Sequence, residues 1–92
     1  MSEIYLDREG ADTCIEAIKV AIEALRSAAS DIDGSMGQLR EVWRGTSASK
    51  CQGTYENDYK NMLTTQIPDA VEELKAFVDS CVQAIYDTDN SL

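Results

Sequence analysis

Residues 41–47, Glu-Val-Trp-Arg-Gly-Thr-Ser, decide the fold, because one long helical pattern stops there and a second one starts. Gly45 has the conformational freedom to end a helix, and Thr46 or Ser47 has a hydroxyl that can cap the next one. The stretch therefore predicts a tight turn at 44–47 that joins two helices.

The chain before the turn reads as one long helix. Its apolar residues step alternately by four and three positions from Ala11 to Trp43, which is the spacing of a helix packed along its whole length. Asp7 is a suitable N-cap. Gly34 and Gly37 each cost about 1 kcal/mol relative to alanine inside a helix. Because the apolar spacing continues beyond them, we predict a bent or soft helix over about 7–43.

The chain after the turn reads as a second helix over about 48–87. Its apolar spacing is regular except for a step of five between Met62 and Ile67, and Pro68 follows directly. Proline removes one helical hydrogen bond and clashes with the preceding turn. We therefore expect a kink or a local break near Pro68.

Two long helices joined by a short turn must fold back on each other. The predicted fold is a single all-α domain, 1–92, with the form of an antiparallel helix–turn–helix hairpin. Its apolar stripes are wider than one neighbouring helix needs, which favours dimerisation into a four-helix bundle. The side chains expected at the bundle interface are Ile15, Ile18, Ile22, Leu25, Ile32, Leu74, Phe77, Val78 and Ile85.

Composition excludes several classes of function. Seventeen acidic and eight basic residues give a net charge of −9, which disfavours binding to nucleic acid or to an anionic membrane surface. No apolar run is long enough to insert into a membrane, and no conventional signal peptide begins the chain. There is no histidine. We expect no catalysis, no cofactor and no metal; Asp31 and Asp33 resemble the start of a calcium loop, but Val42 stands where the closing glutamate belongs.

Three cysteines, Cys14, Cys51 and Cys81, do not form a disulfide framework. Buried free thiols are the expected state. Simple antiparallel pairing about the turn puts Cys14 and Cys81 near one another, about one helical turn out of register. A disulfide between them after export is the alternative.

The Trp43-Arg44-Gly45 tripeptide lies at the turn of a helical hairpin in a short acidic chain. In these features the sequence resembles the WXG-motif family of small type VII secretion proteins, the early-secreted-antigen-like proteins. The resemblance implies a non-catalytic protein with Trp43 and Gly45 as its motif. It also implies secretion without a conventional signal peptide from a cytoplasmic precursor, in the setting of virulence or interbacterial competition. The partners implied are a second copy or a paralogous WXG-like protein, and the membrane ATPase of the secretion system.

The family also carries a C-terminal export signal, in which a tyrosine precedes an acidic residue by four positions. Here Tyr86 is followed by Asn90 at the fourth position, and Asp89 stands one residue early. Either this degenerate signal works, or a paired protein supplies the signal, or Tyr86 is an aromatic residue that covers the end of the bundle.

Two alternative functions remain at this point. The chain could be an adaptor, or targeting chaperone, that binds the helical N-terminal domain of a larger type VII-secreted toxin. It could also be a cytoplasmic structural coiled-coil protein in which the Trp-x-Gly spacing is a coincidence.

Overall fold

A computed structural model describes the backbone of residues 6–91 and the side chains of residues 6–87. Within this range the chain is an all-helical hairpin without a strand. Helix α1 spans Arg8–Val42, α2 spans Thr46–Thr54 and α3 spans Ile67–Ser91. Two π-helical turns, Tyr55–Tyr59 and Met62–Gln66, join α2 to α3. The hairpin is a rod of 69 × 19 × 18 Å, only two helices thick.

Helix α1 begins where the sequence predicts. The Asp7 carboxylate accepts a hydrogen bond of 3.2 Å from the Gly10 N–H, so the predicted N-cap is confirmed. The helix then continues through Gly34 and Gly37 without interruption. Both glycines face open space, because a methyl group added at either would meet no atom within 4 Å.

The turn differs in detail from the sequence prediction. Trp43 leaves α1 with an extended backbone, while its N–H still donates to the Leu39 carbonyl at 3.0 Å. Gly45 has φ 119° and ψ −177°, a conformation open only to glycine, and it is the N-cap of α2. Gly45 therefore starts the second helical arm rather than ending the first. Thr46 is already helical and is not the cap.

The step of five before Pro68 corresponds to a π-helical turn. The Ile67 N–H donates to the Met62 carbonyl, five residues back, and Lys60 bonds to Tyr55 in the same way. A π turn accommodates one additional residue in a helix without breaking it. Where the sequence predicts a kink or break near Pro68, the second arm therefore stays helical, and Pro68 is fully buried.

The core of the hairpin is small. Among the described side chains, those that are buried are Ile22, Ala29, Ala48, Tyr55, Pro68 and Tyr86. They lie along the line where α1 meets the second arm. Among the described residues, several apolar side chains away from this line remain exposed to solvent, Phe77 at 65% and Leu74 at 52%.

Alanine substitutions at the glycines test this account of the backbone. Gly34→Ala and Gly37→Ala should each raise the free energy of unfolding by up to about 1 kcal/mol, because alanine favours the helix and both sites have room. Gly45→Ala should lower it by about 1–3 kcal/mol, because φ 119° strains any residue with a Cβ. Urea unfolding followed by circular dichroism measures all three. A neutral Gly45→Ala would contradict the backbone conformation of the turn.

Candidate functional site

The hairpin has one charged long side. Arg26 of α1 forms ion pairs of 3.2 Å with Asp69 and 3.0 Å with Glu72 of α3. These ion pairs border a groove between α1 and α3. We call the side of the hairpin that carries this groove the charged face. The groove is lined by the charged residues Lys19, Glu23, Arg26, Glu72, Lys75 and Asp79, together with Ile22 and Ala76.

The opposite long side is apolar. At about 100° per residue, one set of exposed apolar residues of α1 and α3 lies on the side of each helix away from Arg26 and Glu72; Val20, which is 54% exposed, lies outside this set. We call this side the apolar face, and its members are Cys14, Leu25, Ile32, Ile67, Leu74, Phe77 and Cys81. Phe77 is 65% exposed and Leu74 is 52% exposed. A set of exposed apolar side chains on one side of a helical rod is typical of a protein–protein interface.

The nine residues predicted for the bundle interface fall into three groups. Ile22 is buried inside the hairpin itself. Four others are half-buried, namely Ile15, Ile18, Val78 and Ile85. The remaining four are exposed on the apolar face, namely Leu25, Ile32, Leu74 and Phe77. The structure thus separates one predicted stripe into an internal seam and an external face.

The apolar face also carries two of the three thiols. Cys14 and Cys81 are free and exposed, and Cys51 is half-buried. Tyr86 contacts Arg8 and Arg26 contacts Asp69, so Cys14 and Cys81 lie nearly level across the hairpin. This register corrects the expected offset of one turn, because the π turns place additional residues in the second arm. The expectation that Cys14 and Cys81 are buried thiols is wrong for the lone chain.

The turn forms a second surface feature. Trp43 is 39% exposed, and neighbouring Val42 is 82% exposed. The Trp43 ring lines an open groove whose other walls come from Arg40, Glu41, Arg44, Gly45, Ala48, Ser49 and Gln52. Trp43 is partly accessible because its extended backbone carries it outside α1.

A polar cluster fastens the turn half of the hairpin. The Tyr55 hydroxyl donates to Asp33 at 2.8 Å, and the Lys60 ammonium lies 3.4 Å from the same carboxylate oxygen. The hydrogen bond from Tyr55 and the nearby charge of Lys60 lower the pKa of Asp33. Loss of hydration and the Asp33 carboxylate raise the pKa of Tyr55 to about 12. Gln52 adds a bond of 3.0 Å to the Met36 carbonyl.

Sequence analysis considered Asp33 only as part of a segment that resembles a calcium loop, and it did not predict this cluster. A buried tyrosine hydroxyl normally needs a hydrogen-bond partner, and antiparallel pairing about the turn places residue 33 opposite residue 55. Together, these two facts could have predicted the hydrogen bond between Tyr55 and Asp33 from the sequence.

The Tyr86 side chain makes its contacts within the hairpin. Its ring is buried beneath the Arg8 guanidinium, whose carbon lies 4.0 Å from the ring centre, and its hydroxyl donates to the Arg8 carbonyl at 3.4 Å. Such a cation–π contact contributes roughly 0.5–1 kcal/mol at an exposed site. The side chains of Asp89 and Asn90 lie outside the described residues. Tyr86 therefore covers the open end of the hairpin, opposite the turn.

The described residues contain no cluster of three or more His, Cys, Asp or Glu side chains arranged to hold a metal ion. In the same part of the chain, none of the helices combines the length and apolarity that a membrane crossing requires. Comparison with protein-family models, curated proteins and solved structures gives no match to this chain. The surfaces themselves must therefore carry any functional argument.

Phe77→Ser tests whether the apolar face has a role inside the lone hairpin. Because Phe77 is mostly exposed, this change should alter the free energy of unfolding of the isolated chain by no more than about 0.5 kcal/mol. The matched change Ile22→Ala in the buried seam should cost about 2 kcal/mol or more. Urea unfolding of dilute samples gives both values. An equal loss from the two variants would place Phe77 in the core and contradict the two-sided description.

Tyr55→Phe tests the polar cluster through its pH dependence. Removing the hydroxyl should cost about 1 kcal/mol near pH 7 and let the Asp33 pKa rise toward its ordinary value. A carboxyl with a lowered folded pKa stabilises the fold above its unfolded pKa, and the effect is lost as pH falls through the folded pKa. The difference between wild type and Tyr55→Phe should therefore shrink in acid. Carboxyl NMR shifts and urea unfolding between pH 7 and pH 2 measure it; a difference independent of pH would contradict the assignment.

Proposed function

We propose that this chain is a non-catalytic partner protein of the WXG type, exported through a type VII secretion system as a folded helical dimer. In this proposal the apolar face packs on the helical hairpin of a partner chain and completes a four-helix bundle. The observation that carries the proposal is the exposed apolar face on a hairpin whose turn holds Trp43 and Gly45. The chain is cytoplasmic before export.

The exposed apolar side chains support a dimer on energetic grounds. Burial of apolar surface contributes about 25 cal/mol per Å², and a fully buried Leu or Phe side chain contributes about 1.5–3 kcal/mol. Leu74 and Phe77 gain little of this in the lone hairpin, and Leu25 and Ile32 gain only part of it. A partner hairpin on the apolar face supplies the missing contacts along both helices, whereas a purely structural monomer leaves them in water.

The turn supports a recognition role in export. Tryptophan and arginine are over-represented among the residues that dominate binding energy at interfaces. Trp43 is partly accessible and has Arg40 and Arg44 in the same groove. We assign this groove to contact with the secretion machinery, including its membrane ATPase.

The C-terminal Tyr86 fits a shared export signal better than an independent one. Its ring and hydroxyl are engaged by Arg8, so the tyrosine is not free for a receptor while the hairpin is intact. We therefore assign part of the export signal to the partner chain, with Asp89 or Asn90 as a degenerate contribution from this one.

An adaptor role is the second candidate, and the length of the apolar face favours it. This face runs from Cys14 to Ile32 along α1 and from Ile67 to Cys81 along α3, enough to dock the helical N-terminal domain of a larger toxin. An export experiment in the host organism distinguishes the two candidate functions. An adaptor is required for export of the toxin, whereas a simple export partner is itself secreted when no toxin is made.

Trp43→Ala tests the proposed role of the turn. The change should cost roughly 1–3 kcal/mol, less than in a closed core, because the ring is partly open to water. Helical circular dichroism should survive, while the amount of chain in the culture supernatant falls to that of a strain without the type VII ATPase. Val42→Ala, at an 82% exposed neighbour, is the control and should be exported normally. Export that persists without the ATPase would exclude the proposed function.

A further inference from the structure

The occupant of the apolar face can be specified by charge, and this step rests on the proposed function. Basic side chains of α1 and α3 form ion pairs within the hairpin. Arg26 binds Asp69 and Glu72, and Lys75 binds Asp79 at 3.0 Å. These pairs lie on the charged face, so their positive charge is turned away from any partner on the apolar face.

The charged residues that border the apolar face, which form its rim, are acidic. Asp31 directly precedes Ile32, and Glu73 directly precedes Leu74, so at about 100° per residue each carboxylate flanks the face at its outer edge. Both are exposed, and neither forms an ion pair with a described side chain. Along this edge of α1 and α3 the described flanking residues include no lysine or arginine.

The turn end of the same side differs. There Lys50 borders a groove formed with Met36, Cys51, Tyr55 and Tyr59, and none of the described carboxylates forms an ion pair with Lys50. The charge pattern of the face is thus acidic along its length and basic near the turn.

A second copy does not complement the acidic part of this rim. Two copies bring together two chains of net charge −9, and among the described residues the acidic rim of each copy has no lysine or arginine to offer the other. Complementary charges across an interface speed association and select the correct partner, and like charges disfavour the wrong one. We propose that the apolar face is covered by a helical chain of different sequence, whose rim carries lysine or arginine opposite Asp31 and Glu73.

A charge-reversed form of this chain is the probe that tests the proposal. Asp31→Lys with Glu73→Lys converts the acidic rim into a basic one and leaves the apolar side chains unchanged. Native mass spectrometry and sedimentation equilibrium then compare wild type alone, the variant alone and an equimolar mixture. We expect the mixed dimer to be about tenfold tighter than the wild-type homodimer at low salt, with the advantage shrinking as salt rises.

A matched control separates the rim from net charge. Glu16→Lys with Glu23→Lys changes the net charge by the same amount, but both sites lie toward the charged face, where Glu16 pairs with Lys19 and Glu23 lines the groove. This control should bind wild type no more tightly than wild type binds itself. Equal improvement by the control would overturn the rim assignment.

The outcomes distinguish this inference from the proposed function. A wild-type homodimer as tight as the mixed dimer would overturn the basic-rimmed partner and leave the dimeric function standing. Absence of association in every sample would count against the dimeric function and the partner assignment together. A preference for the mixed dimer that is lost with Phe77→Ser in both chains would support both.

Discussion

Each arm of a two-helix hairpin has a single neighbour, and this constraint governs the whole molecule. One neighbour covers only a narrow stripe of each helix, so the buried side chains lie along one line that includes Ile22, Ala29 and Pro68. Stability of a single domain depends on how much apolar surface it removes from water. The remaining apolar side chains of α1 and α3 are therefore available to a partner. The proposed function follows from this surplus.

The hairpin has a charged face and an apolar face, so its exposed apolar side chains lie mainly on one side. The ion pairs of Arg26 and Lys75 stay solvated on one side, where such pairs contribute little to stability. Leaving them exposed avoids the cost of burying charge in an interface. The opposite side presents Leu74 and Phe77 with little charge between them. In the proposed function, a partner packs on this apolar side of the rod.

The helical hairpin was predictable because spacing by four and three residues and a Gly-Thr-Ser turn are local signals. Finer features depend on the second arm as it packs. The step of five before Pro68 indicated an irregularity, but only the packed backbone shows that a π turn absorbs it. Trp43 follows the apolar spacing of α1 yet lies outside the helix, since the reversal needs an extended residue before Gly45. The Tyr55–Asp33 bond joins residues whose proximity depends on the register of the two arms.

The central claim is that a partner chain covers the apolar face, and thiol alkylation tests it directly. Cys14 and Cys81 are exposed in the lone hairpin and lie on that face. Rates of maleimide modification should be compared between the isolated chain and the complex purified from its host, with Ser30→Cys as a reporter beside the charged face. The account predicts slow modification of Cys14 and Cys81 in the complex and unchanged modification at position 30. Equal rates at all three sites in both samples would contradict it.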